Sequence, residues 1–257
     1  MGATGRELAE IAAEAGAVVM RHYQAGAQGT LKADQSPVTA ADHEAEAVIL
    51  ARLAGRFAGV AVVAEEESAA GRVPQTGSRF FLVDPLDGTR EFLSRNGEFT
   101  VNIALIENGI AVAGAVYAPA VSRMFYGDGT GAFELALVPG ASVDFSQARA
   151  ITVRAPGADG LVAVGSRSHG DPATDAFLKA YPIKQFVAAG SSLKLCLVAA
   201  GEADIYARGG RTMEWDIAAG HAVLRAAGGS VKSWDGGPFV YGKKGFENGA
   251  FVARGAL

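Results

Sequence analysis

The chain has a single cysteine, Cys196, so it can form no intramolecular disulfide and no multi-cysteine zinc site. That cysteine lies in the apolar run Leu195-Cys196-Leu197-Val198 and reads as a small buried hydrophobe. The four histidines, His22, His43, His169 and His221, never fall at the spacing of a helical zinc pair, so any metal must be held by oxygen ligands. Charge of one sign is also scarce. The 23 Lys plus Arg against 27 Asp plus Glu leave a formal charge of −4, which implies no broad basic surface and excludes nucleic-acid binding by charge alone. No uninterrupted apolar run reaches the roughly 18 residues of a transmembrane helix. The first ten residues include Glu7 and Glu10 and lack the basic-then-apolar pattern of a secretory signal, while Arg6 breaks a myristoylation pattern. A cytoplasmic protein is expected, with peripheral membrane association left open.

What is present is apolar and rich in glycine. Hydrophobic residues make up 49% and charged residues 19%, below the usual share of about 25%, so the chain can bury a large core. Its 34 glycines predict many tight turns. Thr4 and Glu7 have capping-box spacing, and Leu8, Ile11, Ala12, Ala15, Val18, Val19 and His22 share one helical face, predicting an amphipathic helix to about residue 23. Residues 26–37 read as a mobile polar surface loop, after which Thr39 and Asp42 open a second helix that Gly55 can close. Residues 60–64 and 80–83 are short β-type runs, both ending in acids. The alternating segment 99–105, the turn Asn108-Gly109 and the return over 110–117 predict a hairpin. After a loose stretch between 137 and 150, strand and helix patterns alternate. The chain is therefore read as two closely fused halves, residues 1–145 (α+β) and 146–257 (α/β).

The most informative segment is Asp84-Pro85-Leu86-Asp87-Gly88-Thr89. Pro85 and Gly88 predict a sharp turn that lets both aspartates face one point. Glu65-Glu66-Glu67 ends the other strand, and Glu214-Trp215-Asp216 opens a later helix. Each cluster alone is explained by turn capping, a solvated acidic loop or the helix dipole. Together they suit a shared site for a hard divalent cation, because several carboxylates at one sheet edge repel one another unless neutralised. Gly88 and Thr89 would then offer backbone N–H groups to an anion beside the metal. The Gly-x-x-x-x-Gly-Lys-Ser/Thr loop of P-loop NTPases is absent. The two residues between Asp84 and Asp87 do not match the Asp-x-Asp of aspartyl-nucleophile phosphatases, which favours attack by activated water.

These residues resemble the lithium-sensitive, magnesium-dependent phosphatases that include inositol monophosphatase and fructose-1,6-bisphosphatase. The resemblance is carried by Ser36-Pro37-Val38-Thr39-Ala40-Ala41-Asp42, Glu65-Glu66, Asp84 to Thr89 and Trp215-Asp216-Ile217-Ala218-Ala219-Gly220, and it runs almost the whole length. Arg90-Glu91-Phe92, the run from Asn96 to Ile103, Ser166-Arg167-Ser168-His169 and Gly190-Ser191-Ser192-Leu193-Lys194 are similar to the 3′(2′),5′-bisphosphate nucleotidase (CysQ-type) branch. The resemblance implies a layered αβαβα sugar-phosphatase fold and a role in sulfur assimilation, with hydrolysis of 3′-phosphoadenosine 5′-phosphate, or its 5′-phosphosulfate, by a monomer or homodimer. It implies two or three Mg²⁺ ions, one held by Glu65, Asp84 and the Leu86 carbonyl and another by Asp84, Asp87 and Asp216. Glu66 would support them, or take the place of Glu65 as ligand in this row of three glutamates. Asp42, Glu65 and Thr89 would be catalytic, with Thr89 and Asp42 orienting and deprotonating the attacking water. Substrate would meet Asp87, Gly88, Thr89, Ser166, His169, Gly190, Ser191, Lys194, Arg208 and Asp216. The sequence departs from the branch at Ile217, where Thr is common, and at Arg211, where Pro is common, which bears on substrate choice rather than chemistry.

Several of these residues have simpler readings. Lys194 is either a snorkelling surface lysine or a phosphate contact, and Arg208 is either solvated or aimed at a 5′-phosphate. His169 is either a turn residue or a base-stacking group, and Trp215 and Trp234 read as core or rim packing. The competing functions are an inositol or sugar monophosphatase with the same metals, and a non-catalytic nucleotide-binding regulator on the same scaffold.

Overall fold

The computed structural model describes residues 4–26, 28–32, 37–166 and 171–256. Helix α1 (Thr4–Ala25) leads into a two-stranded hairpin, β1 (Gly29–Leu31) and β2 (Pro37–Thr39), and then helix α2 (Ala40–Arg56). Strand β3 (Ala61–Ala64) runs straight into a short helix, α3 (Glu65–Ala69). Strand β4 (Arg79–Asp87) is followed by α4 (Thr89–Leu93) and by β5 (Thr100–Glu107), β6 (Ile110–Ala118), β7 (Arg123–Asp128), β8 (Gly131–Ala136) and β9 (Arg149–Ile151). These seven strands, from β3 to β9 in order, form one sheet in which β3 and β4 are parallel and every other pair is antiparallel. The predicted hairpin is β5 and β6, turning at Asn108 and Gly109, both with positive φ. Because β9 pairs with β8, this sheet continues past residue 146.

The second sheet contains β10 (Leu161–Gly165), β11 (Ile183–Ala188), β12 (Ile205–Arg208), β14 (Ser230–Ser233) and β16 (Phe251–Arg254), in the order β11-β10-β12-β16-β14. Between these strands lie α5 (Pro172–Leu178), α6 (Leu193–Ala199) and α7 (Glu214–Ala226), and a two-residue ribbon joins β13 (Thr212–Met213) to β15 (Glu247–Asn248).

Alternation along the strands builds the layers. On β4, Phe81 and Val83 point into a core with Leu8, Ile11, Ile49 and Leu53 of α1 and α2, whereas Phe80 and Leu82 point to a second core with α6 and α7. On β10, Val162 and Val164 join that second core, while Leu161 and Ala163 face a third, with Leu178 of α5. The order of layers is therefore α1 and α2, first sheet, α6 and α7, second sheet, α5, which is the expected αβαβα arrangement. Helices α6 and α7, hydrophobic nearly all round, are the buried central layer.

Two local expectations differ. Thr4 lies inside α1, and Gly5 donates its N–H to Asp128 Oδ2 at 3.0 Å, so a residue from β7 satisfies the helix start. The stretch read as a surface loop carries the β1–β2 hairpin, and Lys32 beside it reaches inward. Of that stretch, residues 27 and 33–36 lie outside the described residues.

Candidate functional site

Parallel pairing sets Ala64 opposite Val83, so β3 and β4 deliver Glu65 and Asp84 side by side at their carboxyl ends. The spacing of Asp84 and Asp87 would place them on opposite faces of a regular strand. A bulge corrects this: Asp84 pairs with Asn102 and Asp87 with Thr100, so β4 spends one more residue than β5 over the same span. Pro85 fits there because a bulge frees the strand of one ladder donor. Gly88 then takes φ +92°, and an added Cβ would lie 2.2 Å from Ser191 Oγ, so both conformation and space require glycine. Asp216 enters from the central layer, three residues into α7's start, where its Oδ2 accepts the Met213 N–H at 2.8 Å.

The electrostatics follow from this convergence. Burial pushes the Asp84 carboxyl well above the usual carboxylate range, and the charges of Glu65, Asp87 and Asp216 push it further. Asp216 is raised by burial and then by Asp87 and Glu65. Burial also raises Asp87, against the stabilising pull of Lys194 and the Ser192 hydrogen bonds. Ser192 donates its N–H and its hydroxyl to Asp87 Oδ2 at 2.7 and 2.9 Å, and Leu86 donates its N–H to Asp84 Oδ1 at 3.0 Å.

Asp42 lies on the other side of this group. Its Oδ2 accepts the Thr39 N–H and hydroxyl at 2.8 and 2.7 Å, at the helix start expected from Thr39 and Asp42, and its Oδ1 accepts the Thr89 hydroxyl at 3.2 Å. The Thr89 hydroxyl also lies 3.3 Å from the Leu86 carbonyl. Sequence reasoning missed two neighbours. Glu46, one turn after Asp42 on the buried face of α2, accepts the N–H groups of Glu66 and Glu67 at 2.8 and 3.0 Å and so caps α3. Burial pushes Glu46 up to about 7. Lys32 places its ammonium 2.7 Å from Glu65 Oε1 and 2.6 Å from Glu66 Oε1. Burial works against that charge, but the two carboxylates outweigh it and hold the Lys32 pKa above its ordinary value. An acid at a core-facing helix position was a legible signal for Glu46; Lys32 had none, since its segment read as polar surface.

On the opposite flank, Asp87, Gly88, Ser166, Gly190, Ser191, Lys194, Arg208, Arg211 and Asp216 line one cleft of about 150 Å³. Lys194 is buried, not snorkelling: its Nζ donates to the Ser191 carbonyl at 2.7 Å and lies 5.4 Å from the centre of the Tyr206 ring. Burial pulls its ammonium down to about 8, opposed by Asp87. The Nε of Arg208 is buried with no hydrogen-bond partner among the described residues. Ser191, at φ +50°, places its hydroxyl oxygen 2.8 Å from the carbonyl oxygens of both Asp87 and Glu98, which share its single proton, and so ties this flank to the acidic one. His169 lies outside the described residues. Trp215 packs in the core, and Trp234 stacks on Phe177.

The donor set fits a hard divalent cation. Every side-chain donor is a carboxylate oxygen, Asp84 is buried and the others partly so, and the charges repel one another as they stand. A cationic group already sits on Glu65 and Glu66, the ammonium of Lys32. Among the described residues, no three such side chains are drawn tightly enough around one point to hold an ion as they lie. Mutual repulsion and the bonds from Leu86, Ser192 and Met213 each hold one oxygen of Asp84, Asp87 and Asp216 toward the protein. The other oxygen of each is the one that could face a cation.

No described helix is long and apolar enough to cross a membrane. The chain is 41% identical over 212 residues to the 3′(2′),5′-bisphosphate nucleotidase CysQ of Salmonella typhimurium, covering 82% of each protein, and is equally similar to the Escherichia coli K12 protein of the same name. The crystal structure of CysQ from Bacteroides thetaiotaomicron superposes with a TM-score of 0.83 at 34% identity, covering 99% of this chain and 98% of that one. The Thermotoga maritima IMPase superposes with a TM-score of 0.77 at 25% identity, over 97% and 91% of the two chains. The profile of the inositol monophosphatase family matches residues 5–255, and the chain belongs to that family.

Proposed function

We propose that this protein is a Mg²⁺-dependent phosphomonoesterase that cleaves the 3′-phosphate of 3′-phosphoadenosine 5′-phosphate, giving AMP and phosphate, and acts likewise on the 5′-phosphosulfate. The observation that carries this reading is the convergence of buried Asp84 with the partly buried Glu65, Asp87 and Asp216 beside a cleft that also holds Lys194 and Arg208. The names of relatives 41% and 34% identical to this chain support the substrate.

Phosphate monoester hydrolysis is among the slowest uncatalysed reactions, because an anionic ester repels a nucleophile. In this reading Glu65, Asp84 and the Leu86 carbonyl hold one Mg²⁺ and Asp84, Asp87 and Asp216 a second, with Glu66 in support. Bound there, the ions would cancel the ester's charge, acidify water and stabilise the departing alkoxide. The chain supplies the rest. The Thr89 hydroxyl, hydrogen-bonded to Asp42, orients the attacking water and passes its proton toward the Asp42 carboxylate. The N–H groups of Gly88 and Thr89 receive the phosphate oxygens. The water oxygen bonds to phosphorus as the ribose 3′-oxygen leaves and takes up a proton. Lys194 and Arg208 pair with the 5′-phosphate remote from the reaction, Ser166, Gly190 and Ser191 line its path, and His169 belongs to the same group by resemblance. Residues 1–145 then carry most of the catalytic groups, and 146–257 contribute Asp216 and the substrate contacts. The enzyme would work in the cytoplasm as a monomer or homodimer.

Phosphate release from 3′-phosphoadenosine 5′-phosphate and from inositol 1-phosphate, with and without Mg²⁺, tests the proposal. Mg²⁺-dependent turnover with the nucleotide preferred is expected. Preference for inositol 1-phosphate would move the function to the sugar-phosphatase reading, and no turnover of either would leave a binding protein.

A further inference from the structure

The cleft beside the acids is about 150 Å³, smaller than the roughly 300 Å³ or more of pockets that enclose whole small-molecule ligands. A nucleotide with one phosphate at the acids and another at Lys194 would leave its base outside that volume. A second cleft, of about 50 Å³, adjoins the first and shares Ser166, Tyr206 and Arg208 with it; Phe186 of β11 and residues of α5 line it, and since it cannot enclose a base, what it offers is the exposed ring at its rim.

An isolated exposed apolar side chain is ordinary on any surface. Phe186 is distinguished by where its ring lies. It is 55% exposed, on the edge strand of the second sheet, and no aromatic ring among the described residues stacks on it. The ring leans diagonally across β10 onto Gly165, and a Cβ built on that glycine would come 2.5 Å from its Cζ. Absence of a side chain at Gly165 therefore lets the ring lie over the strand next to Ser166. On the α5 side of the cleft, Gly209 donates its N–H to Thr174 Oγ1 at 2.8 Å, and Thr174 donates its hydroxyl to Asp171 Oδ2 at 2.7 Å. An exposed ring at the rim of a cleft that shares Ser166 and Arg208 with the phosphate cleft offers a face to a flat aromatic ligand with an anionic group on one side.

We infer that Phe186, positioned by Gly165, is the stacking platform for the purine base of the substrate and sets preference for nucleotides over base-free phosphate esters. The inference rests on the nucleotidase reading. Alanine substitution of a base-stacking aromatic generally weakens binding about tenfold. Phe186→Ala should raise KM for 3′-phosphoadenosine 5′-phosphate and weaken AMP binding in calorimetry by about that factor, with kcat little changed. Ribose 5-phosphate, the same kind of ester without a base, should keep its affinity as substrate or competitive inhibitor. Phe186→Trp should retain nucleotide affinity, and Gly165→Ala, which displaces a ring free to move outward, should lose part of it.

Unchanged KM and AMP affinity in Phe186→Ala, with the wild type active on the nucleotide, would overturn this inference alone. Equal losses for AMP and ribose 5-phosphate would also overturn it, because the ring would then support the phosphate cleft. A wild type inactive on the nucleotide but active on ribose 5-phosphate would remove the nucleotidase reading and this inference with it.

Discussion

The acidic flank and the substrate flank of the cleft are built by different means. Glu65, Asp84 and Asp87 stand where they do because of main-chain register, at the ends of two parallel strands, one of them bulged. Lys194, Arg208 and Phe186 come from a short buried helix, a strand end and an edge strand, and their positions depend on side-chain packing across the second sheet. The first flank should tolerate little change in charge and show little change in fold. The second should shift substrate preference while leaving the chemistry in place.

The largest effect should come from Asp84→Asn. The substitution keeps volume but removes the charge shared by both proposed cation positions, so turnover should be abolished. Removing one of several mutually repelling buried carboxylates should leave the thermal midpoint at or above that of the wild type. Near-normal Mg²⁺-dependent phosphate release in that variant would break the comparison at its root. Li⁺ in excess over limiting Mg²⁺ should inhibit the wild type, as it occupies a cation position with half the charge; full activity under those conditions would count against the same flank. Next, Thr89→Val removes the hydroxyl that meets Asp42, and kcat should fall roughly a hundredfold or more. A smaller fall with a raised KM would make Thr89 a binding group.

The substrate flank predicts smaller and more selective losses. Lys194→Ala and Arg208→Ala, singly and together, should lower kcat/KM for 3′-phosphoadenosine 5′-phosphate by roughly tenfold or more, from charge-assisted hydrogen bonds of about 1.5 to 3 kcal/mol each. A small phosphomonoester should be affected little, and equal losses on both substrates would place these cations in the acidic flank's work.

The acids were legible because their chemistry is written in short motifs. Asp84-Pro85-Leu86-Asp87-Gly88-Thr89 predicts a sharp turn at Pro85 and Gly88; the turn appears at Gly88, in the left-handed region, whereas Pro85 stays within β4 beside a bulge that brings the two aspartates together. The αβαβα layering was legible only through family resemblance, since alternation along β4 shows that both faces are buried but not what covers each. Lys32 was hidden, because a lysine in a polar stretch looks the same whether it meets water or two glutamates. Lys194 was ambiguous for a related reason: its helix, Leu193–Ala199, is apolar on all sides, and only the packed layers show that no surface remains for it.

The smallest predicted effect concerns stability far from the cleft. Burial, aided by Arg225, holds the His221 ring down to about 4 from an ordinary 6.5, and its Nδ1 lies 2.8 Å from the Tyr241 hydroxyl. The unfolded chain takes up a proton below pH 6.5 that the native ring refuses until about pH 4. The stability linked to the neutral ring is therefore full above pH 6.5 and is lost as pH falls toward 4. Between pH 7.5 and 5, wild type should lose about 2 kcal/mol more than His221→Gln in urea unfolding. Parallel losses in the two proteins would show that the ring is not held neutral.

The central claim is that Glu65, Asp84, Asp87 and Asp216 form one divalent-cation centre. Calorimetric titration of Mg²⁺ into the wild type, Asp84→Asn and Asp216→Asn, without substrate, measures it directly. The account predicts saturable binding by the wild type, loss of that binding in Asp84→Asn, and loss of one component in Asp216→Asn. Mg²⁺ binding to Asp84→Asn with wild-type affinity and stoichiometry would contradict it.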